Sequence, residues 1–132
     1  MKYFLDTNIC IYIIKKKPQQ VLKKLIQQDI SRVGISSITL SELEYGVEKS
    51  SHKEQNKFAL AEFLAPLTVF AYDDNVSSTY GKIRAFLEKK RSAIGPLDML
   101  IGAHALSMKA ILVTNNDQEF ARIPGLNVEN WL

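Results

Sequence analysis

The sequence predicts an α/β protein: a three-layer α/β/α sandwich built on a central parallel sheet of four to five strands. Two observations carry that expectation. Short apolar runs alternate with longer amphipathic runs along the whole chain, and most of the apolar runs stop at a cluster of Ser, Thr, Asn or Asp. Strands that alternate with helices imply parallel pairing through helical crossovers. At 132 residues the chain has the size of one domain, 1–132, with one hydrophobic core.

Each element has its own signal. Tyr3-Phe4-Leu5 is a short apolar strand that stops at Asp6-Thr7-Asn8. Those polar cap formers precede Ile9, Ile11, Tyr12 and Ile14, which suit a helix. Pro18 opens a second helix with Val21, Leu22, Leu25 and Ile26 on its apolar face. Arg32 to Ile35 reads as a strand ended by Ser36-Ser37. Ile38 to about Glu48 reads as a helix that Gly46 weakens near its end. After the polar break Ser50 to Lys53, the residues Phe58, Leu60, Ala61, Phe63 and Leu64 mark another helix, terminated by Pro66. Thr68 to Tyr72 is a β-branched and aromatic strand. Asp73-Asp74-Asn75 caps a long helix carrying Val76, Tyr80, Ile83 and Leu87. Gly95-Pro96 breaks the chain, and Leu97 to Ser107 returns as an apolar helix with one acid, Asp98. Ala110 to Thr114 is the most hydrophobic strand, followed by a turn and short helix through Phe120 and a last strand near Leu126 to Val128.

Composition narrows the class. Lys and Arg exceed Asp and Glu by 17 to 14, a net charge of +3. Basic residues cluster at Lys15-Lys16-Lys17, Lys23-Lys24 and Lys89-Lys90-Arg91, and such clusters attract polyphosphates or simply form solvated helix faces. The single cysteine, Cys10, excludes an internal disulfide framework and fits a reducing compartment. No apolar run approaches the roughly 20 residues that cross a bilayer. The first strand begins almost at Met1, which leaves no room for a signal peptide. The expectation is a soluble, cytoplasmic protein with no membrane contact.

In a parallel α/β sheet the site lies outside the carboxyl ends of the strands. That rule selects Asp6, Ser37 with Glu42 one turn on, Asp73-Asp74, and Thr114-Asn115-Asn116. Asp98 joins them at the start of the helix that precedes the Ala110 to Thr114 strand. Each acid also has an ordinary structural role open to it. Asp6 can cap a helix, although Thr7 and Asn8 serve as well. Glu42 closes a capping box with Thr39 unless Ser37 caps instead. Asp98 is a first-turn helix acid or a buried charge that needs a partner. Within Asn115-Asn116-Asp117-Gln118-Glu119, a further carboxylate is available from Asp117 or Glu119, in what is also ordinary turn chemistry.

Carboxylates gathered without His or Cys partners suit hard cations, Mg²⁺ or Mn²⁺. Cys10, His52 and His104 show no zinc spacing. His104 lies in an apolar helix and reads as a core residue, while His52 reads as exposed. A Walker loop and a glycine-rich dinucleotide fingerprint are both absent from the sequence.

Four segments resemble the PIN-domain family, and within it the VapC toxins of bacterial type II toxin–antitoxin pairs. They are Phe4 to Asn8, Ser36 to Gly46, Ile94 to Ile101, and Leu112 to Asn116 continuing through Glu119-Phe120, in the family's order from end to end of the chain. The resemblance implies a PIN-like fold and a divalent-metal-dependent endoribonuclease in which Asp6, Glu42 and Asp98 form the metal site. Many relatives carry Asp two residues after the Thr matching Thr114. Here that residue is Asn116, a possible ligand or hydrogen-bond donor, and Glu119 becomes the fourth catalytic acid. Thr7 and Thr114 would orient the ligands. The resemblance further implies RNA as substrate, tRNA by likeness to enteric members. It also implies a homodimer within a larger toxin–antitoxin assembly, and a cognate VapB-type antitoxin whose C-terminal tail fills the acidic pocket. Two other readings stand beside it: a phospho-accepting receiver domain using Asp73-Asp74, and a PIN-like module kept only for binding.

Overall fold

The structure, a computed structural model, describes residues 2–132. Strand β1 (Tyr3–Leu5) is followed by helices α1 (Thr7–Lys15) and α2 (Gln19–Ile26), then β2 (Val33–Ser36), α3 (Ser37–Glu48) and α4 (Lys53–Leu64). The chain continues through β3 (Thr68–Phe70), α5 (Ser77–Lys89), α6 (Pro96–Ser107), β4 (Ile111–Val113), α7 (Asp117–Phe120) and β5 (Asn127–Glu129). The five strands form one parallel sheet in the order β3-β2-β1-β4-β5.

Alternation along the strands divides the core between the two faces, as a period of two requires. Phe4 and Leu112 point into a cluster with Ile83 and Leu87 of α5, Ile101 of α6 and Phe120 of α7. Their neighbours Leu5 and Val113 point the other way, into a cluster with Ile9 and Ile13 of α1, Val21 of α2, Leu43 of α3 and Leu60 of α4. Helices therefore cover both faces, and the three-layer expectation holds.

Gly34 of β2 has a packing reason that the strand pattern does not reveal. A Cβ there would stand 2.5 Å from the Phe70 ring and 2.6 Å from the Thr68 carbonyl oxygen. The space left by hydrogen lets Phe70 reach across β2 and stack on Phe4, with ring centroids 5.2 Å apart.

Element ends shift by one or two residues for identifiable reasons. Arg32 belongs to a 3₁₀ turn, Ile30–Arg32, so β2 starts at Val33 and extends to Ser36. β3 stops at Phe70 because the Tyr72 N–H turns to the Ser37 hydroxyl oxygen at 2.9 Å. Asp73 caps a 3₁₀ turn, Asp74–Val76, by accepting from the Asn75 N–H, and α5 begins after it.

The strand order also decides against the receiver reading. A receiver domain has the order 2-1-3-4-5, whereas this sheet runs 3-2-1-4-5. Asp73 and Asp74 consequently follow an edge strand, two strands from Asp6.

Candidate active site

The direction of strand order reverses between β1 and β4, and open α/β sheets hold their ligands outside such a switch point. Asp6 leaves β1 there, its N–H bonded to the Val113 carbonyl at 3.0 Å. Its Oδ1 accepts from the Ile9 N–H at 3.0 Å, so Asp6 is indeed the cap of α1. Capping uses one carboxylate oxygen and leaves the other free. Burial pushes its pKa upward, against a hydrogen bond from the Thr114 hydroxyl and that from Ile9, with the Glu42 charge adding to the rise.

Glu42 is not spent on a capping box. Ser36, not Ser37, caps α3, its hydroxyl oxygen accepting from the Ile38 N–H at 3.0 Å. Thr39, the residue that would cap in a Thr39–Glu42 box, is buried within the helix with its hydroxyl unpartnered. Glu42 instead accepts a 2.6 Å hydrogen bond from the Thr7 hydroxyl, which ties α3 to the first turn of α1.

Asp98 lies in the first turn of α6, behind Pro96 at the helix start. Its Oδ2 stands 3.8 Å from the place a Cβ on Gly95 would occupy, so the carboxylate folds back toward the helix N-terminus. Its pKa is pushed up to about 6, first by burial and then by the charges of Glu119, Asp6 and Glu42; a hydrogen bond from Asn116 acts in the opposite direction. These four carboxylates thus share one electrostatic neighbourhood, drawn from β1, α3, α6 and α7.

Glu119 differs from the other three. Its Oε1 accepts from the Gly95 N–H at 3.1 Å and its Oε2 from the Asn116 side-chain amide. Those two bonds hold its pKa below the ordinary Glu value. Asn116 donates its own backbone N–H to the Thr114 hydroxyl oxygen at 2.9 Å. Asp117 faces away, is exposed, and accepts from Asn130 at 3.3 Å. Gly95 escaped the sequence reading as a functional residue, since a Gly-Pro pair signals only a break; its N–H is nevertheless a fixed donor at the mouth of the site. His104 is buried as expected, and its Nδ1 meets the Ser36 hydroxyl at 2.9 Å.

The donor set fits a hard divalent cation. Every candidate ligand is oxygen, and among the described residues none of the four acids is in an ion pair with Lys or Arg. Equally, no three His, Cys, Asp or Glu side chains among the described residues stand close enough to grip one ion by themselves. An ion held here by one or two of Asp6, Glu42 and Asp98 would leave positions open for water and phosphate, which suits Mg²⁺.

The sequence and fold have close counterparts. The PIN domain family matches residues 3–126. The ribonuclease VapC2 of Rickettsia felis is 46% identical over 132 residues, covering 99% of this chain and 98% of the relative. The tRNA(fMet)-specific endonuclease VapC of Salmonella typhimurium is 44% identical over 131 residues, covering 99% and 98%. A chain in the crystal structure of DNA-bound VapBC from Salmonella typhimurium superposes with a TM-score of 0.94 at 44% identity, covering 100% of this chain and 99% of that one. Such identity over the whole length, with the same sheet, goes beyond a shared fold. The chain belongs to the PIN-domain family, in its VapC branch.

Proposed function

We propose that the protein is the toxin of a type II toxin–antitoxin pair, a Mg²⁺- or Mn²⁺-dependent endoribonuclease. The observation that carries the chemistry is the acidic pocket at the switch point, where burial and three neighbouring acids push the Asp98 pKa up to about 6 and, among the described residues, none of the four acids is in an ion pair with Lys or Arg. Full-length identity to two named ribonucleases supports the reaction class.

In this reading Asp6 and Asp98 hold the ion, with Glu42 beside them. A bound divalent cation supplies an activated water and neutralises charge on the departing oxygen. The residues of the chain do the rest. Asp6 is held by hydrogen bonds from the Ile9 N–H and from Thr114, which fix its orientation. Thr7 holds Glu42 toward the same pocket from α1. A carboxylate of the pocket that the ion leaves unliganded can accept the proton of an attacking water. Attack by water leaves 5′-phosphate and 3′-hydroxyl ends.

The name of the Salmonella relative makes initiator tRNA the first substrate to test. A VapB-type antitoxin as partner is supported by the solved VapBC complexes. It is also supported by a groove of about 320 Å³ between α1, α3 and α4, lined by Ile11, Ile14, Leu43, Val47 and Leu60 and reaching Glu42. An Arg on such a tail would match the carboxylates. The homodimer and the larger assembly belong to the same reading, with size-exclusion chromatography and light scattering as their check.

The deciding experiment uses purified protein freed of antitoxin. Cleavage of tRNA should require Mg²⁺ or Mn²⁺, stop with EDTA, and fall by at least about a hundredfold in Asp6→Ala and Asp98→Ala. Activity that survives EDTA or either substitution refutes the mechanism.

A further inference from the structure

Between the exit of β4 and the start of α6 runs one continuous chain of hydrogen bonds. The Thr114 hydroxyl donates to Asp6 and accepts from the Asn116 backbone N–H. The Asn116 side-chain amide donates to Glu119 Oε2, and Glu119 Oε1 accepts from the Gly95 N–H. Gly95 immediately precedes the first turn of α6, which carries Asp98. The Asn116 amide is also the group that favours ionised Asp98 by hydrogen bonding.

Both oxygens of Glu119 are therefore occupied by the protein itself. To ligate an ion directly, Glu119 would have to surrender one of two hydrogen bonds, and bonds to a charged carboxylate are among the stronger ones. Asn116, in turn, is a neutral donor bonded to Glu119 and beside Asp98, whose ionised form it favours. It brings no charge of its own to compete with a cation.

We infer that Asn116 and Glu119 form a positioning strut: Asn116 spaces Asp98 from Glu119, and Glu119 acts through Asn116 and Gly95 to fix the start of α6 rather than as a fourth metal ligand. The inference rests on the metal-dependent reading of the pocket. Its consequence is a site in which Asp6 and Asp98 bind the ion and the segment Thr114 to Glu119 sets the distance between them. Partners in the shell behind metal ligands typically change affinity by about 10–100-fold when removed.

The test is a double-mutant cycle on Mn²⁺ affinity, measured by electron paramagnetic resonance on metal-stripped full-length protein. Asn116→Ala and Glu119→Ala should each weaken Mn²⁺ binding by about tenfold, and the double variant should bind about as weakly as the worse single one, because both remove the same strut. Factors that multiply in the double variant would mean that Glu119 contributes independently, as a ligand does, and would overturn the inference. A second readout needs no metal. In Asn116→Ala the Gly95 amide should exchange with solvent about tenfold faster, since its acceptor is no longer held; unchanged exchange also overturns the inference. If the alanine variant does not fold, Asn116→Ser repeats both measurements. Asp98→Ala separates the two levels of the argument. Wild type that takes up no Mn²⁺, or Asp98→Ala that binds as tightly as wild type, removes the metal reading and this inference with it. Loss of Mn²⁺ in Asp98→Ala beside a multiplicative cycle removes the strut alone.

Discussion

Asp98 concentrates the tension between stability and function in a single side chain. Burial and three neighbouring acids raise its pKa to about 6 from an ordinary value near 3.8. The folded state therefore binds the Asp98 proton more tightly than the unfolded state. Its contribution to stability is present at low pH and is lost as pH rises through about 6, so the ionised form is a liability at pH 8. Asn keeps the shape and a hydrogen-bonding end without the charge. Asp98→Asn should therefore melt at a higher temperature than wild type at pH 8 in EDTA and at about the same temperature at pH 4, while losing nuclease activity. Equal melting temperatures at both pH values would show that Asp98 carries no such strain. Asp6 is shifted in the same direction, but hydrogen bonds from Thr114, Ile9 and Asn8 offset part of the cost.

At the level of elements, α3 is anchored at its first turn by more than a cap. The Ser36 oxygen accepts from the Ile38 N–H and also shares a 2.9 Å hydrogen bond with His104 Nδ1. His104 also meets Phe4 and Tyr72 edge-on, at centroid distances of 5.0 and 5.5 Å. One neutral imidazole thus joins β1, the start of α3 and α6, the elements that lead to Asp6, Glu42 and Asp98. Ser36→Ala removes a cap and strands a buried ring nitrogen, and should cost about 2 kcal/mol in urea unfolding. A change under about 0.5 kcal/mol would show that neither bond matters. β2 makes a second demand. Gly34→Ala drives a methyl group into the Thr68 carbonyl and the Phe70 ring. It should destabilise by about 1–3 kcal/mol, since the backbone of β3 must move; a neutral result would mean that the edge strand yields freely.

Across the whole molecule the charge is divided by location. The acids converge at the switch point of the sheet, while Lys15-Lys16-Lys17, Lys23-Lys24 and Lys89-Lys90-Arg91 are all exposed on helix ends. Lys16 and Arg91 hold left-handed backbone conformations there, with φ of 59° and 54°, as residues that stop helices do. Exposed basic clusters on a chain with an acidic pocket suit a polyanion that is bound by its phosphates and cut at that pocket. At saturating Mg²⁺, raising monovalent salt from 50 to 200 mM should raise KM for tRNA by about tenfold or more and leave kcat nearly unchanged. A salt-independent KM would mean that the lysine clusters take no part in holding RNA.

Much of this was legible in the chain itself. Alternation of strand and helix signals, the polar stops after each apolar run and the Pro and Gly punctuation are local properties, so fold class and element order follow from neighbouring residues. The acids at strand ends follow too, because a parallel sheet sends every carboxyl end to the same edge. Residue pairs far apart in sequence obey no local rule. That Thr7 holds Glu42, that Ser36 rather than Ser37 caps α3, and that Gly34 must lack a side chain were decided only when β2 came to lie between β1 and β3. The four acids show the division most clearly. Strand-end position nominates Asp6, Glu42 and Asp98, and the family resemblance adds Glu119, yet tertiary packing gives Asp98 a raised pKa and Glu119 a lowered one. The difference lies in burial and in which N–H groups the fold aims at each carboxylate, quantities that exist only once the chain has closed on itself.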